Sequence, residues 1–170
     1  MKDLLSVDPG VRACGCALWK NGVLVSAELV LGVPRGVKAS PAELIKHMVS
    51  QVKHWCSRSI DNPSTGIELV IEMMRTYGGR AQRGDTNDLI MVSLVSGGII
   101  LDYPSRLVLP QEWKGGVPKK NAHGDNVIKE RCLKKLSATE IATIKTPSKS
   151  LEHNVYDAIG IGLWHLNRTT

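Results

Sequence analysis

The first third of the chain alternates between short apolar runs and turn residues, a pattern that predicts three β-strands. Residues 4–7 are mostly apolar and end at Asp8, which a proline and a glycine follow. Residues 13–19 form a second apolar run with many small side chains, and residues 23–31 form a third. Because Asn21-Gly22 is a strong signal for a two-residue β-turn, we expect the second and third strands to pair as an antiparallel hairpin.

The rest of the chain alternates between helical and extended patterns. The first helix begins at Pro41, since Ser40 can cap it and Glu43 completes a capping box. Apolar residues then recur at helical spacing as far as Cys56. The same reasoning predicts helices over 85–96, 125–136 and 151–166, and strands over 67–74 and 106–109. This order indicates an α/β protein, one domain over residues 1–170 with a mixed five-stranded sheet flanked by helices.

Composition excludes several classes of protein. The chain has 170 residues, of which 42% are hydrophobic and 22% charged, so it can bury a core of its own. No apolar run is long enough to cross a bilayer, and the first residues do not resemble a signal peptide. We therefore expect an intracellular, cytoplasmic protein with no membrane contact. The cysteines lack the spacing of a zinc site and are predicted to be reduced and buried: Cys14, Cys16, Cys56 and Cys132.

The positive charge of the chain is concentrated in its middle. The formal net charge is +6, and residues 75–135 hold eleven Lys or Arg against six Asp or Glu. A basic surface attracts the phosphate backbone of nucleic acids through counterion release. A solvated surface that only keeps the protein soluble would show the same excess, so charge alone does not decide between the two.

Three acidic residues each interrupt an otherwise apolar element. Asp8 ends the first strand, Glu72 lies within the fourth, and Asp157 lies on the last helix. Burying one carboxylate is costly and three converging carboxylates repel one another. A divalent cation that prefers oxygen ligands, such as Mg²⁺ or Mn²⁺, removes this conflict. Taken singly, the residues could be a turn residue, an exposed strand residue and a partner of a lysine, but the three together favour a metal site.

Other polar residues lie near these carboxylates in the predicted elements. His153 and Asn154 precede Asp157 by four and three residues, which places them on or close to one helical face. A histidine beside a metal can bind it or transfer a proton, although a helical histidine is more often a surface residue. Glu68 points to the same side of its strand as Glu72, and we interpret it as a solvated residue at the start of the strand.

Three segments resemble the motifs of the RuvC-type Holliday junction resolvases. Residues 5–10 (LSVDPG) and the small-residue strand after them resemble the first motif. Residues 70–72 (VIE) resemble the second, and residues 156–163 (YDAIGIGL) resemble the last, an Asp-Ala helix of small and apolar residues. The order of the elements fits the RNase H-like fold of that family over almost the whole chain. The resemblance implies a homodimeric endonuclease that binds four-way DNA junctions and nicks two opposed strands.

The resemblance also implies a set of metal ligands. By position, Asp8, Glu72 and Asp157 would hold two Mg²⁺ ions per active site, for which Mn²⁺ would substitute, and Asp8 would bridge both. The family has an aspartate or histidine three positions before its last aspartate, where this chain has Asn154. We therefore expect His153, one residue further back, to be the fourth catalytic ligand, with Asn154 as the competing choice.

Basic and aromatic residues between the second and last motifs are candidates for DNA contacts. The family has basic residues in the segment before its penultimate helix, which Lys114, Lys119 and Lys120 occupy here. Lys114 or a neighbour is expected to neutralise charge that builds on the phosphate. Tyr77 is nearest to the position of a family aromatic residue that probes the junction centre. Further candidates for phosphate contacts are Arg75, Arg80 and Arg83.

Two other functions fit the same residues: an RNase H-fold nuclease acting on RNA or RNA–DNA hybrids, and a junction-binding module without catalysis. A kinase of the actin-like class opens with a similar hairpin, but it needs a second half for which 170 residues leave no room. A two-fold junction suits a two-fold protein, and the helix over 85–96 is the candidate interface. The small size of the chain suggests a version from a phage or other mobile element.

Overall fold

The computed structural model describes residues 3–59, 66–74, 86–116, 126–147 and 150–168. In these residues the strands are β1 (Leu4–Asp8), β2 (Ala13–Lys20), β3 (Val23–Leu31), β4 (Glu68–Glu72), β5 (Ser105–Val108) and β6 (Ile144–Lys145). The helices are α1 (Pro41–Ser59), α2 (Thr86–Ile100), α3 (Pro110–Trp113), α4 (Val127–Lys135), α5 (Ala138–Ile141) and α6 (Glu152–His165). The strands form one mixed sheet in the spatial order β5-β4-β1-β2-β3-β6.

The predicted α/β architecture is confirmed, but the strand number differs. The described part of the chain contributes six strands where the hydrophobic pattern predicts five. The additional strand, β6, is two residues long and pairs in parallel with β3 through Ala27 and Ile144. A strand this short shows no alternation of apolar and polar residues, so it leaves no pattern to detect. The helices α3 and α5 were not predicted either, because four residues are too few to show a helical period.

The hairpin between β2 and β3 forms at the predicted turn. Asn21 and Gly22 have φ angles of 52° and 80°, the positive values that a type I′ turn needs at both central residues. The pairing is antiparallel from Lys20 and Val23 to Ala13 and Leu31, with one irregularity between Leu18 and Trp19. Local turn chemistry therefore sets the register next to the turn, and the irregularity shifts the register beyond Trp19.

Helix α2 extends beyond the predicted end at residue 96. It continues through Gly97 and Gly98 to Ile100, although glycines in sequence commonly indicate a helix end. A Cβ atom at Gly98 would lie 2.7 Å from Cγ2 of Val49 on α1. The glycine therefore allows α1 and α2 to pack closely, which explains why tertiary contact outweighs its low helix propensity.

Helices cover both faces of the sheet, and each face has its own buried cluster. On one face Leu5 and Val7 of β1 pack with residues of α1 and α2. On the other face Leu4 packs with residues of α4 and α6. Because side chains alternate along a strand, Asp8 belongs to the same face as Leu4, the face that α6 covers. No helix in the described residues is long and apolar enough to cross a membrane.

Candidate active site

β1 and β4 each end in an acidic residue, and the two residues lie at the same edge of the sheet. These strands are adjacent and parallel, with Val7 beside Ile71, so Asp8 and Glu72 follow at neighbouring carboxyl ends. Glu72 in turn pairs with Val108, the last residue of β5. The chain that leaves β5 at this edge therefore passes directly beside Glu72. Parallel pairing alone explains why residues more than sixty positions apart reach one site.

A glycine on β2 brings the first turn of α6 against the sheet. Gly15 pairs with Asp8 across the strands, and a Cβ atom at Gly15 would lie 1.8 Å from the backbone oxygen of Asn154. No larger residue fits this approach without moving the helix. Asp157 lies one turn beyond Asn154 with its side chain 14% exposed. Gly15 thus places the third predicted carboxylate over the edge that carries the other two.

Lys114 lies between two of these carboxylates. Its Nζ is 3.3 Å from Oε2 of Glu72 and 3.6 Å from Oδ2 of Asp157. The same cation lies 4.6 Å from the centre of the Trp113 ring. Lys114 follows the short helix α3, whose first residue is Pro110 and whose capping carboxylate is Glu112. The structure therefore brings together Lys114, Glu72 and Asp157.

Trp113 is a site residue that the sequence analysis did not select. Its Nε1 donates a hydrogen bond of 2.7 Å to Oε2 of Glu72. A Cβ atom at Gly160 of α6 would lie 2.5 Å from Cζ3 of Trp113, so a glycine on the helix makes room for the ring. A buried indole N–H requires a polar partner. That requirement, next to a predicted site lysine, is the only signal in the sequence that could have identified it.

The protonation of the site follows from burial and mutual charge. Burial raises the pKa of Glu72, and the nearby Asp157 adds to this, against the opposing effects of Lys114 and the Trp113 donor. Burial alone would lower the pKa of Lys114, but the attraction of Glu72, Asp157 and Asp8 outweighs it and raises the pKa above its ordinary value. Lys114 is therefore a cation at neutral pH, paired with Glu72 and Asp157.

The oxygen atoms of Asp8, Glu72 and Asp157 are of the chemical type that binds a hard divalent cation. Carboxylate oxygens are the ligands that Mg²⁺ and Mn²⁺ prefer, and the site already concentrates positive charge in the form of Lys114. Within the described residues, however, no three His, Cys, Asp or Glu side chains stand close enough together to hold an ion as they are. Binding a metal between Glu72 and Asp157 would thus require Lys114 to move its Nζ out of the space between them.

The structure places the two candidates for the fourth ligand differently. His153 is exposed on the first turn of α6, and its side chain has no hydrogen bond or ion pair with any other described residue. Asn154 is half-buried, with its backbone against Gly15. His153 as fourth ligand therefore stays a prediction that requires its ring to turn toward Asp157.

Several predicted DNA-contacting residues lie outside the described part of the chain: Arg75, Tyr77, Arg80, Arg83, Lys119 and Lys120. Glu68 is described and lies at the opposite end of β4 from Glu72. Its Oε1 is 3.3 Å from Nε2 of His165, at the end of α6. Glu68 is therefore remote from the acidic edge, as its interpretation as a strand-start residue requires.

Replacing Trp113 with phenylalanine should separate packing from hydrogen bonding at the site. The phenyl ring retains most of the contact with Gly160 but cannot donate to Glu72, which would then be buried with one partner fewer. We expect the free energy of unfolding in urea to fall by about 2 kcal/mol. An unchanged urea midpoint would show that the indole N–H does not support Glu72.

The arrangement defines an RNase H-like fold with acidic residues at the ends of two adjacent parallel strands and on the last helix. The same fold is found in Thermus thermophilus RuvC, solved in complex with a Holliday junction substrate, with a TM-score of 0.57, 15% identity and coverage of 97% of this chain and 92% of that one. It is also found in the yeast mitochondrial Holliday junction resolvase Ydc2, with a TM-score of 0.52, 10% identity and coverage of 98% and 79%. The sequence itself matches no protein-family model and no curated protein.

Proposed function

We propose that this protein is a Holliday junction resolving endonuclease that hydrolyses phosphodiester bonds with divalent metal ions. The observation that supports this most directly is the grouping of Asp8, Glu72, Asp157 and Lys114 at one edge of a resolvase fold. Two of the carboxylates already share a single cation. The likeness to two solved resolvases over nearly the whole chain supports the choice of substrate.

Each residue of the site has a proposed task. Asp8, Glu72 and Asp157 would hold two Mg²⁺ ions, with His153 or Asn154 as the fourth ligand. When bound, such ions activate a water molecule and stabilise the leaving oxygen of the scissile phosphate. Trp113 keeps Glu72 oriented through its indole N–H. Lys114, released from between the carboxylates, would neutralise charge on the phosphate, since an ammonium is a compact donor for phosphate oxygens.

We further propose that two copies of the chain act as a homodimer through α2. Three apolar side chains form an exposed stripe along it: Ile90 is 54% exposed, Leu94 54% and Leu101, just beyond its end, 82%. Ile90 and Leu94 are four residues apart and lie on one face of the helix, and Leu101 follows the helix end. Gly97 lies between Leu94 and Leu101, and a Cβ atom there would meet nothing, so a second helix can approach closely. A two-fold contact would present one site to each opposed strand.

Placing a charge on the stripe should break the dimer. We expect Leu94→Glu to weaken self-association by about 100-fold, as burying an unpaired carboxylate at an interface centre is strongly unfavourable. Light scattering during size-exclusion chromatography measures the mass directly. Val23→Glu is the matched control, because Val23 is an equally exposed apolar residue, 50% exposed, on the remote hairpin. A wild-type protein that is monomeric at all concentrations would contradict the proposal.

A substrate panel tests the proposed function. Cleavage rates would be compared on a labelled four-way junction, a linear duplex and an RNA–DNA hybrid of the same sequence, with excess enzyme and Mg²⁺. We expect the junction to be cut much faster than either linear substrate. Preferential cleavage of the hybrid would keep the fold and the metal chemistry but assign the enzyme to another group of RNase H-fold nucleases.

A further inference from the structure

A cavity lies beside the active site, on the face of the sheet that α4 and α6 cover. It has a volume of about 300 Å³ and opens between α3, α4 and α6. Trp113 forms one wall, so the ring that holds Glu72 also separates this cavity from the acidic edge. None of the described residues that line the cavity is acidic. The volume is at the lower limit of small-ligand pockets.

The inner surface of the cavity is apolar. Gly160 and Leu163 of α6 and Ile128 and Cys132 of α4 line it. The Cys132 thiol already donates a hydrogen bond to the backbone oxygen of Tyr156. An occupant therefore finds hydrophobic contact there but hardly any side-chain partner for its own polar atoms. A nucleobase would leave the hydrogen-bonding atoms of its edge unsatisfied, whereas an aliphatic or aromatic side chain would lose nothing.

The rim of the cavity is basic. Arg131, Lys134 and Lys135 lie there on successive turns of α4. Arg131 and Lys134 are exposed and have no carboxylate at ion-pair distance in the described residues. Lys129, two residues before Arg131 on the same helix, is instead paired with Glu152 at 2.9 Å. Among the described residues, Arg131 and Lys134 are thus unpaired at the cavity, whereas Lys129 beside them has a carboxylate partner.

From the apolar interior and the unpaired cations we propose that this cavity binds an acidic peptide segment of a partner protein. A bulky apolar side chain of the segment would enter the cavity, and flanking Asp or Glu residues would contact Arg131 and Lys134. Burying one apolar anchor and forming exposed ion pairs gives weak, reversible binding. The proposal concerns a surface outside the carboxylate site and does not depend on the proposed nuclease activity.

A labelled peptide measures this binding directly. The probe is a short fluorescein-labelled peptide of aspartate and serine with one central phenylalanine, titrated with the full-length protein and followed by fluorescence anisotropy. One control peptide replaces the phenylalanine with serine, and another replaces the aspartates with serine. We expect each control to bind at least about fivefold more weakly, since each loses one of the two contributions.

Two protein variants test the location. Arg131→Ser with Lys134→Ser should weaken binding of the acidic peptide about fivefold, while Lys46→Ser with Arg58→Ser, which removes two exposed charges from α1, should not. Cys132→Leu should fill the cavity and abolish the preference for phenylalanine over serine. Equal binding of all peptides, or binding that none of the cavity variants alters, would overturn the proposal. Displacement of the peptide by single-stranded DNA of equal charge would also overturn it, if the two cavity variants weaken DNA binding as they weaken peptide binding. That result would identify a nucleotide site instead.

Discussion

Replacing Asp8 with asparagine should lower the rate of junction cleavage by at least about 10³-fold. Asparagine has the same shape but a neutral, weaker ligand oxygen, so a metal that supplies several kcal/mol of transition-state stabilisation would be lost or misplaced. Asp8 lies at the end of β1 opposite Gly15, where the substitution changes charge and not packing. Single-turnover cleavage of an end-labelled junction measures the rate.

Binding and a matched variant complete the test of Asp8. Junction affinity in the absence of metal should be equal or higher in Asp8→Asn, because one negative charge beside the phosphate is removed. Asp102→Asn is the control, since Asp102 is an exposed carboxylate that pairs with Lys53 at 2.6 Å. Its cleavage rate should match the wild type. Asp8→Asn protein that still cuts within tenfold of the wild-type rate would exclude Asp8 as a ligand.

The second large effect is expected on stability, from a buried carboxylate remote from the active site. Glu140 is 4% exposed. It accepts hydrogen bonds from Nη1 and Nη2 of Arg168 at 2.7 and 3.0 Å and from the backbone N–H of Leu24 at 3.0 Å. It also caps its own helix through Ser137. One side chain therefore joins α5, β3 and the segment after α6.

We expect Glu140→Gln to lower the free energy of unfolding by about 3 kcal/mol, because it leaves the Arg168 guanidinium without its counter-charge. For a chain of this length the melting temperature should fall by about 9 °C. Glu43→Gln is the matched control: Glu43 also completes a capping box, with Ser40, but it is exposed. The control should change stability much less. Equal effects of the two substitutions would show that the Arg168 pair contributes nothing.

Glu140 should also make the free energy of unfolding depend on pH. The hydrogen bonds from Arg168, opposed by burial and assisted by Leu24 and Ser137, lower the pKa of Glu140 from 4.5 to about 2. A group with a lowered pKa in the folded state stabilises the protein above its unfolded pKa and loses this effect as the pH falls toward the folded value. The difference in stability between wild type and Glu140→Gln should therefore be constant above about pH 5 and shrink by about 3 kcal/mol between pH 4.5 and 2.

The sequence alone was enough to select the three acidic residues as candidates. Asp8, Glu72 and Asp157 are each visible as a charge that interrupts an apolar run, and burial of a charge is too costly to occur without reason. The strand order does not follow from that pattern, because β2, β3 and α1 lie between β1 and β4. The α/β architecture and the set of three acidic residues could therefore be predicted, but not the parallel pairing of β1 and β4 that brings Asp8 and Glu72 to one edge.

Other features depend on contacts that no local pattern records. Gly15 and Gly160 look like unremarkable small residues until α6 and Trp113 are seen against them. Ser137 and Glu140 do form a capping-box signature in the sequence, but the resulting helix α5 is only four residues long. The position of Lys114 between two carboxylates is likewise set by the turn after α3. The pattern of apolar residues along the chain does not predict that turn.

The central claim is that the acidic edge is a metal-dependent nuclease site for four-way junctions. Mapping the nicks in a junction labelled on each strand in turn, with Mg²⁺ and with EDTA, tests it most directly. We predict paired, symmetric nicks in two opposed strands that appear with Mg²⁺ or Mn²⁺ and vanish with EDTA. Tight junction binding without nicks in either metal would contradict the claim and leave a junction-binding protein in which Lys114 neutralises the carboxylates permanently.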